Sequence, residues 1–317
     1  MTDNVLTMPA EAAQSSPSFH DRVRRRRRTE FIFSLCGIAA IGFALLMLSL
    51  LFFDLAWHGF PRLSWDFFWN FPSRRATQAG ILSAWVGSLL VIMVTALFAV
   101  GLGVSSGIYL EEYAPKNWLT VIIEINVNNL AGVPSIVYGL LALGLFVYGI
   151  GTGRSILTAG LTLALLILPI IIVSTREAIR AVPHSLREAA LGVGATKWQV
   201  TKDHVLPAAM PGVLTGMIIG ISRALGETAP LITIGALTFI AFLPEAPVTT
   251  EFPFISFNWL FDGFTVLPIQ AFNWISRPGS DFHANAAAAG LVLLAITITL
   301  NGAAIALRSR LRKKLQW

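Results

Sequence analysis

Residues 176–207 read REAIRAVPHSLREAALGVGATKWQVTKDHVLP, a polar and basic stretch that lies between two long apolar segments. Its Ala, Leu, Arg and Glu residues favour helix. Two interpretations fit a helical stretch of this kind. It is either a compact knob that protrudes from a membrane and fits a groove on a soluble partner, or an amphipathic helix that lies on the membrane surface.

Local signals predict two short helices inside this stretch. Pro183 breaks the preceding segment, and Ser185 with Glu188 three residues later has the spacing of a capping box. Gly192 and Gly194 permit a sharp turn. We expect a second short helix over residues 196–204, which ends where Leu206-Pro207 opens the next apolar segment.

The composition is typical of an integral membrane protein. Hydrophobic residues make up 55% of the 317 residues and charged residues only 13%, whereas soluble chains carry about 25% charged residues. Spanning helices need about 20 apolar residues each. The sequence therefore predicts an all-α, polytopic membrane bundle with six transmembrane helices, which lie within residues 31–53, 76–110, 125–153, 155–175, 205–244 and 284–307.

The distribution of Lys and Arg predicts the orientation. Basic residues concentrate before the first span, in residues 176–207 and after the last span, so this face is expected to be cytoplasmic, with both termini on that side. One stretch of the predicted cytoplasmic face runs against this orientation: in residues 111–124, Glu111, Glu112 and Glu124 outnumber Lys116. Because acidic residues contribute little to this rule, the predicted orientation stands.

The same pattern divides the chain into four parts. Residues 1–30 are expected to be a disordered, basic cytoplasmic tail, and the arginine run 24–28 an orientation anchor rather than a nucleic-acid site. Residues 31–75 hold the first helix and an outer loop, residues 76–307 the core, and residues 308–317 a basic cytoplasmic tail. The outer loops, 54–79 and 245–283, are expected to form short interfacial helices, a docking surface or solvated connectors.

The knob stretch carries a spaced motif. Glu188-Ala189-Ala190 is followed by Gly194 and then by Leu206-Pro207. This order and spacing resembles the loop by which ABC-importer permeases dock on their ATPase, although His204 stands where an aliphatic residue is usual. The resemblance favours the knob over a surface helix.

The resemblance extends over roughly residues 76–307. The segments 129–139 (NLAGVPSIVYG), 168–170 (LPI) and 223–231 (RALGETAPL) are similar to phosphate-specific ABC transporter permeases, of the PstA type rather than the PstC type. This implies the type I ABC importer permease fold. It also implies that Glu188, Ala189, Ala190, Gly194, Leu206 and Pro207 couple the chain to an ATPase.

The resemblance implies a set of partners. These are a PstC-like sister permease, a PstB-like ATPase dimer, a PstS-like extracytoplasmic binding protein, membrane lipid and inorganic phosphate. ATP and magnesium would be used by the ATPase. In this chain, residues 192–197 (GVGATK) lack the glycine before the lysine and the Ser/Thr after it that a phosphate-binding loop needs. We therefore expect no cofactor, catalytic residue, metal site or nucleic-acid partner.

Arg223 and Glu227 are predicted near the middle of the fifth span. A charge at this depth costs at least about 2.5–3.5 kcal/mol and faces a bundle interior or a cavity. Their i,i+4 spacing lets the side chains meet, and on a continuous helix the glycines 212, 216 and 220 share their face and permit close packing. The pair is either a structural lock or, as the resemblance implies for Arg223, part of the substrate path.

Three further residues are candidates for the path. Arg176 is either an exit contact or a plain orientation anchor, and Asn126 and Asn129 either line the path or hydrogen-bond between helices. Pro134 and Pro169 predict kinks.

Other functions remain possible on the sequence. A permease for sulfate, molybdate or another oxyanion would keep the same mechanism. A secondary transporter driven by an ion gradient would explain the charge pair but not the spaced motif, and nothing resembles a signalling domain.

Overall fold

The computed structural model describes residues 19–247, 254 and 256–314, and every regular element within them is a helix. The chain divides into two units, one ending at Asp54 and the other beginning at Leu55. Most of helix α1 (Phe19–Gly59) makes up the described part of the first unit. Since its residues 31–53 are almost entirely apolar on all sides, it has the character of a membrane span.

Helix α1 begins earlier than the predicted span. It starts at Phe19, so the arginine run 24–28 is helical rather than part of an unstructured tail. Residues 1–18, where the rest of the predicted tail falls, lie outside the described residues. At the other end, the last helix continues to Lys314, so the predicted basic tail from residue 308 is helical as far as that residue.

The second unit holds the remaining helices. They are α2 (Trp65–Trp69), α3 (Leu82–Ile108), α4 (Trp118–Leu130), α5 (Ser135–Ala142), α6 (Ile156–Arg180), α7 (His184–Gly192), α8 (Lys197–Gln199), α9 (Leu206–Gly226), α10 (Ala229–Thr233), α11 (Leu267–Ile275) and α12 (Ser280–Lys314). Three π turns extend helices, at Tyr109–Tyr113 after α3, Leu143–Ile150 after α5 and Val200–Val205 before α9.

Five helical segments in the described chain are long and apolar enough to span a membrane: Thr29–Arg62, Leu82–Tyr113, Ile156–Arg180, Lys197–Gly226 and Ser280–Arg310. The predicted third span is different. Trp118–Leu130 and Ser135–Ile150 meet at an angle of 108°, and six crossings result only if this bent pair is one span. The predicted kink at Pro134 is confirmed and amounts to a full break between α4 and α5, because Pro134 disfavours helical backbone at the residue before it.

Helix α6 is the centre of the second unit and packs against α3 and α9. Glycines let both neighbours approach closely. On α3, a Cβ at position 103 would lie 2.7 Å from Cγ2 of Ile171, and on α9 a Cβ at position 212 would lie 2.6 Å from Cβ of Ala178. Gly216 and Gly220 continue the same ridge toward α6. The predicted close packing along this ridge is confirmed, and α6 is the neighbour.

The outer loops contain short helices, as predicted. Helix α2 and the turns Phe60–Arg62 and Ala76–Gln78 form a folded ledge against α11 and α12. Arg62 holds the ledge: its Nε donates to Oδ1 of Asn285 on α12 at 2.6 Å, and its Nη2 donates to the carbonyls of Ala76, Thr77 and Ala79. Residues 248–253 and 255 of the second outer loop lie outside the described chain.

Candidate functional site

Arg223 and Glu227 meet, but not on one helix. Helix α9 ends at Gly226, and Glu227 follows it with extended backbone (φ −77°, ψ 127°). The Nε of Arg223 lies 3.3 Å from Oε1 of Glu227, with side chains 41% and 19% exposed. The predicted contact is confirmed, whereas the predicted continuous fifth span over 205–244 is wrong. Arg223 occupies the last turn of α9, where the helix dipole favours a cation.

A contact with α12 lies next to this pair. The hydroxyl of Ser222, next to Arg223, contacts the side-chain amide of Asn301. Asn301 lies well inside the candidate span Ser280–Arg310, away from both of its ends. The C-terminal end of α9 therefore packs against the interior of a spanning helix. Arg223 itself lies in the last turn of the candidate span Lys197–Gly226, so its position near the middle of the membrane stays a prediction.

The broken third span lies beside the charge pair. The hydroxyl of Tyr138, on α5, donates to the carbonyl of Leu130 at the end of α4 (2.8 Å). The next residue, Gly139, lets α5 approach α10 so closely that a Cβ there would lie 2.7 Å from Cα of Pro230. Non-helical backbone at membrane depth is tolerated where it is buried in protein or lines a cavity.

Sequence reasoning did not single out Tyr138. The available signal was a tyrosine in an otherwise apolar segment, four residues after a proline. Its hydroxyl adds a second hydrogen bond to the carbonyl of Leu130, which also accepts from the backbone amide of Val133 at 3.1 Å. Tyr138 thus stabilises the bend.

Arg176 lies in a buried ion cluster rather than at a free helix end. Its side chain is 8% exposed, with Nη2 2.7 Å from Oε1 of Glu124 and Nε 3.5 Å from Oε2 of Glu111. Asn126 is exposed and donates to the carbonyl of Ile122 in its own helix, and Asn129 is exposed. No contact among the described residues joins these three to the charge pair.

The three acidic residues that ran against the predicted orientation, in the stretch 111–124, each have a basic partner. Besides the bridges to Arg176, Glu111 accepts two hydrogen bonds from Arg180 and Glu112 accepts two from Arg187. These pairs join residues 111–124 to the polar stretch 176–207, which begins in the last turns of α6. Both segments therefore lie at the same end of the bundle, as the predicted topology requires.

The polar stretch forms two short helices with a turn between them, as predicted. Gly194, with φ +90°, makes the turn in a conformation that side chains other than glycine rarely adopt. The capping box is elsewhere than expected: α7 begins after Pro183 with no side-chain cap, so the box at Ser185 and Glu188 is wrong. Thr196 and Gln199 form one at the start of α8.

The second short helix does not stop at Leu206-Pro207. Helix α8, the π turn Val200–Val205 and α9 run on as one helical segment, Lys197–Gly226. Pro207 lies in the first turn of α9, directly after the π turn. A π turn shifts the hydrogen-bonding pattern of the backbone. Proline has no N–H to donate, and the first turn of a helix tolerates it because N–H groups there have no intrahelical acceptor. The second half of the knob is thereby continuous with the fifth span.

The motif residues divide by exposure. Ala190 is buried among the apolar residues that join α7 to α6 and α9. Glu188, Ala189 and Gly194 are exposed, and Leu206 and Pro207 are half-buried. Around the exposed motif residues lie large apolar side chains, with Val193 86% exposed and Trp198 60% exposed. A protruding tip with exposed apolar side chains in a basic surround is typical of a protein-docking surface.

Within the described residues, no group of three His, Cys, Asp or Glu side chains has the arrangement of a metal site.

These features define a class of protein: a multi-pass membrane transport subunit with a charged pair at the end of a spanning helix and a helical knob at one end. The chain belongs to the family of binding-protein-dependent transport system inner membrane components, whose model matches residues 99–314. It is therefore a permease subunit and not itself an enzyme. Residues 20–63 match a separate domain model of unknown function, DUF3333.

Curated relatives cover most of the chain. It is 33% identical over 239 residues to the phosphate transport system permease protein PstA of Mycobacterium leprae (strain TN), covering 74% of this chain and 77% of that protein. It is 28% identical over 313 residues to PstA 1 of Mycobacterium tuberculosis (H37Rv), with coverages of 97% and 95%. The probable ABC transporter permease YqgI of Bacillus subtilis (strain 168) is 35% identical over 209 residues, with coverages of 65% and 69%.

A solved structure confirms the fold. The chain matches a chain from the inward-facing MetNI methionine ABC transporter with a TM-score of 0.54, covering 71% of this chain and 93% of that one at 17% identity. The fold is therefore that of an ABC importer permease.

Proposed function

We propose that this chain is the permease subunit of an ATP-driven phosphate importer and forms half of the translocation path. The observation that carries the proposal is the arginine–glutamate pair at the end of a spanning helix in a chain whose relatives include PstA proteins. The partners are those that the sequence implied: a PstC-like sister permease, a PstB-like ATPase dimer and a PstS-like binding protein. Both termini lie in the cytoplasm.

Arg223 is the anion contact in this proposal. Its planar guanidinium holds phosphate oxygens with two parallel hydrogen bonds, and its 41% exposure leaves donor atoms accessible beside the pairing with Glu227. Glu227 holds Arg223 in place between substrates and competes with the bound anion. This competition keeps binding weak enough for release.

The other predicted path residues have weaker support. Asn126 and Asn129 are exposed on α4 and are available to the path as polar side chains. Arg176 already has two carboxylate partners, which favours an anchoring role over contact with an anion.

The knob couples the path to the ATPase. Glu188, Ala189 and Gly194 lie on its accessible face, whereas Ala190, Leu206 and Pro207 join it to the bundle. ATP and magnesium act on the partner subunit. ATP binding closes the ATPase dimer, moves both knobs and turns the cavity outward, and hydrolysis resets it and releases phosphate inside.

The test is uptake of labelled phosphate by proteoliposomes that hold the four-component complex. We expect uptake to require ATP, the ATPase and the binding protein, and to persist in excess sulfate and molybdate. Competition by either anion at equal concentration would instead support the other-oxyanion function. Uptake driven by an ion gradient without the ATPase would contradict the proposal.

A further inference from the structure

Arg187, directly before the Glu188-Ala189-Ala190 motif, makes an unusual set of contacts. Its Nε and Nη2 both donate to Oε1 of Glu112, at 3.0 and 2.8 Å. Its Nη1 donates to the carbonyl of Val182 at 2.6 Å, and its Nη2 also donates to the carbonyl of Ile179 at 2.9 Å. One side chain on α7 thus binds two other chain segments.

The two carbonyls belong to the end of α6. The last carbonyls of a helix have no intrahelical partner, and a basic side chain can satisfy them. Ile179 lies in the last turn of α6 and Val182 is the second residue after it; the carbonyl of Ile179 also accepts from the backbone amide of Val182 at 3.1 Å. Arg187 therefore caps the central helix of the bundle with a residue from the knob.

The carboxylate belongs to the π turn Tyr109–Tyr113 at the end of α3. The Arg187 and Glu112 side chains are only 14% and 10% exposed, so water screens their attraction little. The same turn also contacts the second half of the knob. The Tyr113 hydroxyl donates to Oγ1 of Thr201 at 3.2 Å, and Nζ of Lys197 lies 4.9 Å from the centre of the Tyr113 ring.

Side chains, rather than packed backbone, make the link between α7 and α3. A cavity of about 340 Å³ lies between them, lined by residues that include Glu112, His184, Arg187 and Leu191. The backbones of α7 and the π turn are not closely packed. The Arg187 fork bridges the gap, beside an apolar cluster that contains Ala190 of α7 and Ile108 of α3, so a displacement of α7 reaches the end of α3 through this polar link as well as through apolar packing.

We propose that Arg187 is the positioning residue that ties α7 to the ends of α3 and α6, so that movement of the knob is converted into movement of the spans. This proposal rests on the proposed function, since it assigns the transmission step between the ATPase and the path. Arg187 acts through Glu112, Ile179 and Val182, and not by touching the ATPase or the substrate.

Three substitutions test the role. Arg187→Gln removes the charge and most of the fork. Arg187→Lys keeps the charge but offers a single ammonium in place of the fork. Glu112→Gln weakens the same link from the side of α3 without altering α7. The matched control is Arg180→Gln, which removes an arginine bound to Glu111 of the same π turn but 53% exposed and outside the knob.

The complex is reconstituted with each variant, and three quantities are measured: the Kd of the ATPase for the membrane subunits, the phosphate taken up per ATP hydrolysed, and hydrogen exchange of residues 184–192. In Arg187→Gln we expect the Kd to change by less than about threefold, the phosphate-to-ATP ratio to fall at least about fivefold, and exchange of residues 184–192 to accelerate. Glu112→Gln and Arg187→Lys should shift the ratio in the same direction by less, and Arg180→Gln should not shift it.

An unchanged phosphate-to-ATP ratio in Arg187→Gln, or the same loss in Arg180→Gln, overturns the proposal. Loss of ATPase binding overturns it too, because Arg187 would then be a docking contact. If the Arg187→Gln complex does not assemble, the phosphate-to-ATP ratio and the ATPase Kd of Arg187→Lys and Glu112→Gln test the proposal instead. Failure of the wild-type complex to couple uptake to ATP is a separate result that contradicts the proposed function, and hydrogen exchange still tests the link itself.

Discussion

Oε1 of Glu227 lies 3.3 Å from Nε of Arg223, although the helix that carries Arg223 ends one residue before Glu227. The pair thus joins the end of α9 to the extended segment that leads into α10. Because α10 packs against α5 at Gly139, this ion pair also connects α9 to the broken third span. A change in this ion pair therefore affects both α9 and the broken third span, which lie beside the proposed path.

The first prediction concerns Arg223. Arg223→Gln should lower ATP-dependent phosphate uptake at least about tenfold, which corresponds to about 1.4 kcal/mol, because the substituted amide carries no charge for the anion. Arg223→Lys should retain part of the uptake, since it keeps the charge without the fork. Uptake into proteoliposomes is the measurement, and Arg74→Gln, an exposed arginine of the outer ledge, is the control. Wild-type uptake in Arg223→Gln would leave the pair a structural lock.

The second prediction separates the roles within the pair. Glu227→Gln should lower the KM for phosphate transport and also lower kcat, because Arg223 without its competitor holds the anion longer. Initial uptake rates over a range of phosphate-loaded binding protein give both constants. A raised KM with unchanged kcat would assign Glu227 to ground-state binding instead.

The third prediction uses two glycines of the knob. Gly194→Ala should destabilise the turn by about 1–2 kcal/mol, because φ is +90° there, and weaken ATPase binding accordingly. Gly192→Ala places the same methyl group at the end of α7, where nothing lies within 4 Å and alanine favours helix. It should leave binding unchanged or improve it. The Kd of the ATPase for the two variants is the measurement, and equal effects would contradict the prediction.

The fourth prediction concerns the glycine ridge of α9. Gly216→Ala should destabilise the protein by about 1–3 kcal/mol, because the added methyl group meets Ser174 of α6 and the helices must separate. Thermal unfolding in detergent should show a lower Tm. Gly101→Ala, where the methyl group enters open space on α3, is the control. Addition of Ser174→Gly should restore part of the loss; no restoration would mean that another contact is responsible.

The fifth prediction concerns the outer ledge. Arg62→Gln should loosen the segment 60–80, because the Arg62 guanidinium makes one hydrogen bond to Asn285 of α12 and three to carbonyls within the segment. Limited proteolysis of this segment should accelerate, and we expect a stability loss of about 1–3 kcal/mol. Arg75→Gln changes an exposed arginine of the same ledge and should behave as wild type. Unaltered proteolysis in Arg62→Gln would show that apolar packing alone holds the ledge.

By itself, the sequence determined that this protein is a membrane bundle with a helical knob at one end. These properties depend on local information: apolar runs long enough to span a bilayer, helix-forming residues, and a glycine turn at Gly194. The family motif in residues 188–207 is also local. The glycine ridge could be predicted because helical periodicity places its three members on one face.

Only the tertiary structure decided where helices break and which charges pair. The end of α9 at Gly226 and the continuity of α8 with α9 depend on which distant segments pack against them, as does the 108° angle of the bend whose position Pro134 predicted. The same holds for Arg176 and Arg187, whose partners Glu111, Glu124 and Glu112 lie far away in the chain. Hydrophobicity and turn propensity act over a few residues, whereas an ion pair or a helix break at membrane depth is stable only when residues remote in sequence satisfy it.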